Sequence, residues 1–554
     1  MSKHPPRLAG RSLAAVRTLA ETPGASVLVR NLFKKGLRID VLADLPESFR
    51  SDLADSNRPL QAREPSPRPD AYPPPAARAF PRPWTAFSRA YRERTITPSE
   101  VAERALAALP ELRARRPTQN ISAASLPEIT RADAAASTER YAAGAPQSPL
   151  DGVPILIKDE FDVRGMATGL GSRCEPTAPK ERDSTVADRL RRAGAIMICK
   201  TVMTEWGMSP LGVNRSSIMP HNPHNPSRAS GGSSTGSGVG VALGIAPIAA
   251  GTDGGGSIRI PASLCGVFGI KPTFGRVSRA GVWAGGSVTH AGPLGASTAD
   301  LALFLDVVAS SVDPLDSLTA WAPPPPKGGF GSQFGAGVRG LRIGVLESEI
   351  RDAEGPIASA VESALRALER EGATLETIDI PLAKHAAAIG YLSIGPEALA
   401  SHRQSWLERR ELMNDDLRVS FAALSTISAL EHLDAQRLRQ KLREQTAEAL
   451  RRVDLLALPT LAITAPRYTE EDAQSSFSDS AALDGVCRFA FLGNLTGLPA
   501  ATAPIAWDSD GLPIGLQLVG DAWDEAGVLG ALAHLERAEV ASVRRAGGAF
   551  DFIG

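Results

Sequence analysis

Continuous apolar runs alternate with amphipathic stretches along most of the chain. VPILIK (153–158) and IMICK (196–200) are apolar runs of strand length, and DSTVADRLRRAGA (183–195) lies between them with helical spacing. Buried strands that alternate with helices are typical of folds in which helices cover a central sheet. The pattern therefore predicts an α/β protein.

The second half of the chain repeats this alternation. The pattern predicts strands at LRIGVLE (341–347), VDLLALPT (453–460) and GLPIGLQLVG (511–520), and helices at 356–370 and 427–452. The longest apolar stretch, Val239 to Ala250, is shorter than the roughly 18 residues that a membrane-spanning helix needs. We interpret it as a buried core helix.

The first 83 residues have a different character. Short helical patterns with a basic face occupy residues 1–60, and eight prolines within 61–83 favour an extended chain. A helix start at Thr97, Pro98 and Glu100 follows soon after globular patterning begins. The predicted organisation is a basic helical N-terminal extension (1–60), a proline-rich linker (61–83), one large α/β domain (84–545) and a C-terminal tail (546–554).

Charge and composition exclude some classes of function. The formal net charge is −1, so no overall basic field favours nucleic acid as a partner. Residues 1–40 carry eight lysines and arginines against Glu21 and Asp40. That segment is either a peripheral contact for an anionic membrane or a partner, or a solvated extension.

Two further features concern the compartment. The opening residues MSKHPPRLAGRS contain no apolar core, so we expect no secretory signal. The four cysteines form no CxxC pair, which favours neither a disulfide framework nor a zinc site. We therefore expect a cytoplasmic protein.

Three segments carry candidate chemistry: Lys158 at the end of its apolar run, GGSSTGSG (231–238) and GTDGGGSIR (251–259). Each alone has an ordinary explanation, since lysines often extend from strand ends to water and glycine-serine loops form turns. The third segment could bind an anion through backbone N–H groups. It lacks the spacing of a P-loop or of a dinucleotide-binding loop.

Together the three segments resemble the amidase signature family, in which a strand-end lysine precedes GGSS and then GTDxGGS. The 24 residues from Ser233 to Ser257 match the separation of that family's two catalytic serines. DGVPILIKDEFDV (151–163) and SLCGVFGIKPTFGRVS (263–278) are also similar to family segments, and the resemblance spans roughly residues 85–545. It implies one large domain with a mixed central sheet covered by helices.

The resemblance also implies roles for individual residues. Ser257 would be the nucleophile, Ser233 a bridging serine after a cis peptide bond from Gly232, and Lys158 the base. The implied oxyanion hole and supporting residues are the N–H groups of Gly254, Gly255, Gly256 and Ser257, with Ser234, Asp253 and Arg259 beside the relay. A serine hydroxyl needs an adjacent base, and burial favours the neutral lysine that can act as one. Activity is then expected to rise towards alkaline pH.

The implied activity is hydrolysis of a carboxamide to a carboxylic acid and an amine or ammonia. It proceeds through an acyl-enzyme on a small-molecule substrate, with no cofactor and no metal, and homodimers are common among such enzymes. Some positions depart from the family pattern: Thr235 and Gly254 replace a usual glycine and a usual larger residue. Neither change removes a catalytic group.

Other interpretations remain open. An amidotransferase A-type subunit shares the signature and acts in a complex, and a pseudo-enzyme is a third class, although Lys158, Ser233 and Ser257 are all retained. GSSTG (232–236) also fits the GxSxG motif of α/β-hydrolase esterases, with Ser234 as nucleophile, but the preceding segment is a poor strand. His221 and His224 lie among prolines and suit a turn better than a metal site.

Overall fold

A computed structural model describes residues 6–22, 24–53, 60–61, 80–283 and 285–554. Most of the proline-rich segment (62–79) lies outside the described residues. The helices are α1 Gly10–Glu21, α2 Ser26–Gly36, α3 Trp84–Arg92, α4 Pro98–Ala114, α5 Pro127–Ala142, α6 Thr185–Arg192, α7 Thr235–Ala242, α8 Arg259–Cys265, α9 Thr298–Val308, α10 Glu347–Arg351, α11 Gly355–Arg370, α12 Ala386–Ser401, α13 Arg403–Glu408, α14 Asp415–Leu424, α15 Ala429–Arg452, α16 Glu470–Ser475, α17 Ser480–Cys487, α18 Phe491–Thr496 and α19 Glu525–Arg537. The strands are β1 Leu8–Ala9, β2 Ser122–Ala124, β3 Pro154–Lys158, β4 Ile196–Thr201, β5 Ile248–Asp253, β6 Phe268–Lys271, β7 His290–Gly295, β8 Arg342–Val345, β9 Thr374–Thr377, β10 Leu455–Pro459, β11 Phe477–Ser478, β12 Ala500–Trp507 and β13 Pro513–Gly520.

One mixed sheet organises the chain. Among the described strands, eleven join it in the order β2-β4-β3-β5-β7-β6-β12-β13-β10-β8-β9, and β1 pairs with β11 separately. The group β4-β3-β5 is parallel, as is the group β10-β8-β9, and the strands between these groups pair antiparallel. Helices and buried apolar side chains cover the sheet, so the predicted α/β fold with a mixed central sheet is confirmed.

Parallel pairing places two candidate segments side by side. β3 ends at Lys158, and β5, its parallel neighbour, ends at Asp253 immediately before the glycine-rich loop. All five residues of β3 and all six of β5 are buried. The carboxyl ends of adjacent parallel strands meet at one edge of the sheet, which is where α/β folds place their sites.

Most of the predicted elements are confirmed. VPILIK, IMICK, LRIGVLE, VDLLALPT and GLPIGLQLVG supply β3, β4, β8, β10 and β13. The helix start near Thr97 is also confirmed, since Thr97 Oγ1 accepts a hydrogen bond from the Glu100 amide and the Glu100 carboxylate accepts one from the Thr97 amide.

The interpretation of Val239 to Ala250 as one core helix is wrong. Helix α7 ends at Ala242, Gly244 follows with φ +74°, and β5 starts at Ile248. A left-handed glycine ends a helix readily, and Pro247 cannot continue one. The apolar character of the whole stretch reflects burial of both the helix and the strand.

The first two helices pack on the rest of the molecule. Helices α1 and α2 contact α14, and Leu13 is fully buried there. Arg17 Nη1 lies 2.8 Å from Asp415 Oδ1, Arg418 Nη2 lies 2.7 Å from Glu21 Oε2, and Lys34 pairs with Glu431. A solvated extension is therefore the wrong interpretation for these helices. Within the described ranges, no helix combines the length and apolar character that crossing a membrane requires.

Candidate active site

Lys158 is the central cation of the site. Its side chain is 0% exposed, because β3 lies between β4 and β5 in the interior of the sheet. Nζ donates to Ser233 Oγ at 2.7 Å and to Thr252 Oγ1 at 2.6 Å, and it lies 2.7 Å from Glu160 Oε2. Three oxygen atoms on three segments thus surround the ammonium.

Burial and charge act on Lys158 in opposite directions. Burial lowers its pKa because desolvation disfavours the ammonium, whereas the Glu160 carboxylate and, more weakly, Asp253 raise it. Burial prevails, so the pKa of Lys158 lies below the usual value for lysine. A lysine in this state can exchange a proton with a neighbouring hydroxyl.

Ser233 is positioned by the glycine-rich segment before α7. The peptide bond from Gly232 to Ser233 is cis, as the resemblance implies. A Cβ atom at Gly232 would lie 2.7 Å from the carbonyl oxygen of Ser209, so only glycine permits this close approach. Ser233 is buried, and its hydroxyl accepts the hydrogen bond from Lys158.

Ser257 lies in the loop between β5 and α8, which Asp253 organises. The Asp253 carboxylate accepts hydrogen bonds from the amides of Gly256 (2.7 Å) and Ile258 (3.1 Å), which flank Ser257. Arg259 Nε and Nη2 donate to the same carboxylate at 3.0 and 2.9 Å, and Asn494 Nδ2 donates at 2.9 Å. These bonds fix the loop that carries Ser257.

The Asp253–Arg259 pair is completely buried. Burial alone would raise the pKa of Asp253, but the charge and hydrogen bonds of Arg259, with the Asn494 amide, hold that pKa well below its usual range. Asp253 is therefore an anion throughout the physiological range. The hydrogen-bond partners of Arg259 do not include Ser233 or Lys158. Arg259 instead anchors the loop through its ion pair with Asp253.

One amide of the expected oxyanion hole has a partner within the loop. The Gly256 amide donates to Asp253 Oδ1. The amides of Gly254, Gly255 and Ser257 remain candidates. A Cβ at Gly255 would lie 2.5 Å from Phe491 Cζ, so the loop packs tightly against α18.

Ser257 and Ser233 line the same cavity, together with Thr252 and Glu160. Ser234 does not line it: its hydroxyl is buried and donates to the Thr252 carbonyl, and its amide donates to the Ser257 carbonyl at 3.3 Å. No strand immediately precedes Ser233 and Ser234, although α7 begins at Thr235. The strand–turn–helix context of a GxSxG nucleophile is therefore missing.

The cavity has a volume of about 50 Å³, and its wall combines polar side chains with apolar and aromatic ones. That wall contains Trp206, Met208, Trp283, Ile394, Ala398 and His402. The rings of Trp206 and His402 stack with centroids 4.1 Å apart, and Phe421 of α14 stacks on Trp206 from the protein interior. Burial lowers the pKa of His402 to about 4, so this side chain is uncharged at neutral pH.

Glu160 and Thr252 were not predicted as site residues from the sequence. One signal was available for Glu160, because it lies only two residues after Lys158, in the turn that follows β3. Thr252 lies on β5, and only the pairing of β5 with β3 brings it to Lys158. Such pairing cannot be derived from the local sequence.

The two histidines considered as metal ligands make local contacts instead. His221 Nδ1 lies 2.7 Å from the Pro226 carbonyl oxygen, and His224 Nε2 lies 2.9 Å from that of Cys265. Burial lowers the pKa of His224 to about 4. Among the residues that the structure describes, no three side chains of metal-binding type form a cluster.

Comparisons with known proteins place the chain among amidases. The family model Amidase matches residues 105–529. A fatty acid amide hydrolase from Medicago truncatula is 33% identical over 84% of this chain and 78% of its own length. The A-type subunit of glutamyl-tRNA(Gln) amidotransferase from Chloroflexus aggregans is 35% identical over 73% of this chain and 86% of its own length.

A solved structure agrees with this placement. A bacterial aryl acylamidase of the amidase signature enzymes superposes with a TM-score of 0.72 at 27% identity, covering 82% of this chain and 96% of its own. The fold is thus shared with an enzyme that is named for amide hydrolysis.

Proposed function

The chain belongs to the amidase family and hydrolyses an amide bond, and we propose that it does so through a Ser257 acyl-enzyme with Ser233 and Lys158 as the proton relay. The observation that carries this proposal is the 2.7 Å hydrogen bond from Lys158 Nζ to Ser233 Oγ in a fully buried site. It supports a relay because a lysine with a lowered pKa can take up the proton that a serine releases.

The proposed steps use this arrangement. Ser257 Oγ attacks the carbonyl carbon, its proton passes to Ser233, and the Ser233 proton passes to uncharged Lys158. The amides of Gly254, Gly255 and Ser257 are the donors that we assign to the developing oxyanion, and one such donor is worth about 3–4 kcal/mol in a transition state. The proton returns through Ser233 to the leaving amine, and water then releases the acid by the same route.

We infer that the substrate is an uncharged amide with an apolar or aromatic substituent. Trp206, Ile394 and Ala398 border the cavity, and His402 is neutral there. The charged side chain on this lining, Glu160, is paired with Lys158. A free carboxylate or ammonium on the substrate would lose its hydration without gaining a partner. The names of the Medicago and aryl acylamidase relatives are consistent with such amides.

A second candidate function is that of an amidotransferase A-type subunit, favoured by the relative from Chloroflexus aggregans at 35% identity. The two functions differ in what the isolated chain can do. Hydrolysis of simple amides by the purified chain, without ATP or tRNA, supports the amidase. Absence of that hydrolysis, with activity restored only by further subunits, supports the amidotransferase.

We also propose that α2 makes a peripheral contact with an anionic membrane. Val27, Leu28 and Leu32 are 48%, 60% and 47% exposed on one face of α2, and Lys35 follows on the same face. Apolar side chains beside basic ones suit such a surface. Leu28→Ser with Leu32→Ser should abolish sedimentation with phosphatidylserine vesicles, whereas Leu315→Ser, an exposed leucine elsewhere, should not; equal sedimentation of both variants contradicts the contact.

A fluorophosphonate probe tests the relay, because it reacts with activated serines. We expect mass mapping to find the label on Ser257, absent in Ser257→Ala and strongly reduced in Lys158→Met. Lys200→Met is the matched control, since it removes a buried lysine from the adjacent strand β4 that does not contact Ser233. A label on Ser234 would support the GxSxG interpretation instead.

A further inference from the structure

Glu160 lies within the relay itself. Its Oε2 atom is 2.7 Å from Lys158 Nζ, and it accepts a hydrogen bond from the Thr252 hydroxyl, which in turn accepts one from Lys158. Glu160 also lines the cavity that holds Ser233 and Ser257. Lysine, threonine and glutamate thus form a closed triangle of hydrogen bonds directly behind Ser233.

This triangle creates a difficulty for a relay that ends at lysine. A lysine that is paired with a carboxylate at 2.7 Å carries the proton, and an ammonium cannot accept another. Burial lowers the pKa of Lys158, but Glu160 is the largest influence that raises it. The carboxylate would therefore keep Lys158 protonated and slow catalysis, unless the carboxylate itself accepts the proton from Lys158.

We propose that Glu160 accepts the resting proton of Lys158 and thereby frees Lys158 to act as the base of the relay, an inference that rests on the proposed function. The resting pair is Lys158 ammonium and Glu160 carboxylate. One proton moves from Nζ to Oε2, which gives a neutral amine and a neutral carboxylic acid with no change of net charge. Lys158 then accepts the Ser233 proton while Ser233 takes that of Ser257.

Charge and protons balance through the rest of the cycle. At the tetrahedral stage, the new ammonium of Lys158 offsets the oxyanion, and Glu160 stays protonated. Collapse sends the Lys158 proton through Ser233 to the leaving amine. Deacylation repeats the exchange with water, and the proton on Glu160 finally returns to Lys158. Glu160 contacts no substrate atom in this scheme. It acts by positioning Lys158 and by accepting its proton.

A neighbouring pair shows what distinguishes Glu160. Asp159 Oδ1 lies 2.8 Å from Lys200 Nζ, and both side chains are buried. Lys200 donates to the Ala167 carbonyl and to Thr168, and neither residue of this pair lines the cavity. The chain thus contains two adjacent buried lysine–carboxylate pairs. Of these two pairs, the one formed by Lys158 and Glu160 contacts a serine of the site, Ser233.

The other ionisable groups around the pair do not replace Glu160. Asp253 on β5 is committed to Arg259, and His402 after α12 has a pKa of about 4 and stays neutral over the working range. Glu205, beneath Trp206, has a pKa raised to about 7 by burial and titrates within that range. Glu205 is common to wild type and variants, so their difference reports on Glu160.

The test is the pH dependence of fluorophosphonate labelling at Ser257, measured from about pH 5 to about pH 10. The variants are Glu160→Gln, which cannot accept the proton, and Glu160→Asp, which keeps a carboxylate. Asp159→Asn is the matched control, because it breaks the neighbouring buried pair. Thermal melting verifies that each variant is folded.

We expect the acid limb of the Glu160→Gln profile to lie about one pH unit or more above that of the wild type, because Lys158 must then lose its proton to solvent. At about pH 6 this means labelling about tenfold slower, with rates within about threefold near pH 10. Glu160→Asp should restore the wild-type position of the limb at a lower rate. Asp159→Asn should lower the melting temperature and leave the limb in place.

Two results would overturn the proposal while leaving the proposed function intact. If Glu160 only holds Lys158 in its protonated form, the Glu160→Gln limb moves to lower pH and labelling at neutral pH becomes faster. If Glu160 only supports packing, labelling falls by the same factor at every pH. Absence of label on Ser257 in the wild type would instead refute the acyl-enzyme relay and this inference together.

Discussion

The buried pair of Asp253 and Arg259 gives a quantitative prediction. Arg259 donates through all three guanidinium nitrogens, reaching Asp253, the Ala490 carbonyl (2.7 Å), Gln517 Oε1 (2.5 Å) and Asn494 Oδ1 (2.6 Å). Both charged side chains are 0% exposed. Removing one partner leaves the other charge buried without compensation, which costs about 3–5 kcal/mol.

The expected consequence is strong non-additivity. Arg259→Met should lower the free energy of unfolding by about 3–5 kcal/mol, and Asp253→Asn by a similar amount, because each isolates a charge. The double variant removes both charges. Its loss in free energy of unfolding should therefore be smaller than the sum of the two single losses by about 2 kcal/mol or more. The three variants should all lose Ser257 labelling, since Asp253 also fixes the Gly256 and Ile258 amides.

Urea unfolding, followed by tryptophan fluorescence, measures these losses in the free energy of unfolding. The labelling of Ser257 reports whether the loop keeps its conformation. Additivity within about 0.5 kcal/mol would refute the claim that the two charges compensate each other. Asp253 also predicts a pH effect. Its folded pKa lies below its unfolded value of about 3.9, so its contribution is present above that pH and is lost as the pH falls further. Asp253→Asn should lack this acid-dependent loss.

Three further predictions concern single residues. Burial raises the pKa of Glu205 to about 7, so this residue should lower wild-type stability by about 2–3 kcal/mol as the pH rises from about 4 to about 7; differential scanning fluorimetry should show a correspondingly smaller fall in Glu205→Gln, in which the buried Asp300, Glu349 and Asp416 still titrate, and equal pH profiles would contradict this. Gly255→Ala should slow Ser257 labelling at least about tenfold, because its Cβ would overlap Phe491 and displace the loop; labelling within about twofold of wild type would count against the tight packing. Trp206→Ala should raise KM for apolar amides more than kcat changes, because it removes a cavity wall stacked on His402; an unchanged KM in steady-state assays would argue against that wall as the binding surface.

How much the sequence predicted depends on the range of the interactions involved. The strands around Ile155 and Ile198 were clear, because each is a short apolar run next to an amphipathic helix. The run from Val239 to Ala250 misled because periodicity cannot separate a buried helix from a buried strand. Lys158, Ser233 and Ser257 came from ordered motifs that match a family.

The remainder of the site depends on contacts between distant segments. Asn494 and Gln517 reach Arg259 across more than 200 residues of chain, and no local pattern marks them. Glu160 was overlooked for a different reason: a carboxylate two residues after a lysine is common on protein surfaces. Only burial of the pair distinguishes it from a solvated one.

The order of strands in the sheet has a consequence for biosynthesis. Strand β6 pairs with β7 on one side and with the later strand β12 on the other. Strand β10 likewise pairs with β8 on one side and with the later strand β13 on the other. The ribosome makes β12 more than 200 residues after β6, which at about 5–20 residues per second leaves that edge unpaired for about 10–50 s. An unpaired edge is a template for misassociation. We therefore expect the nascent chain to be prone to misassociation until its last hairpin emerges, and chains that end before Ala500 to aggregate rather than to form a smaller enzyme.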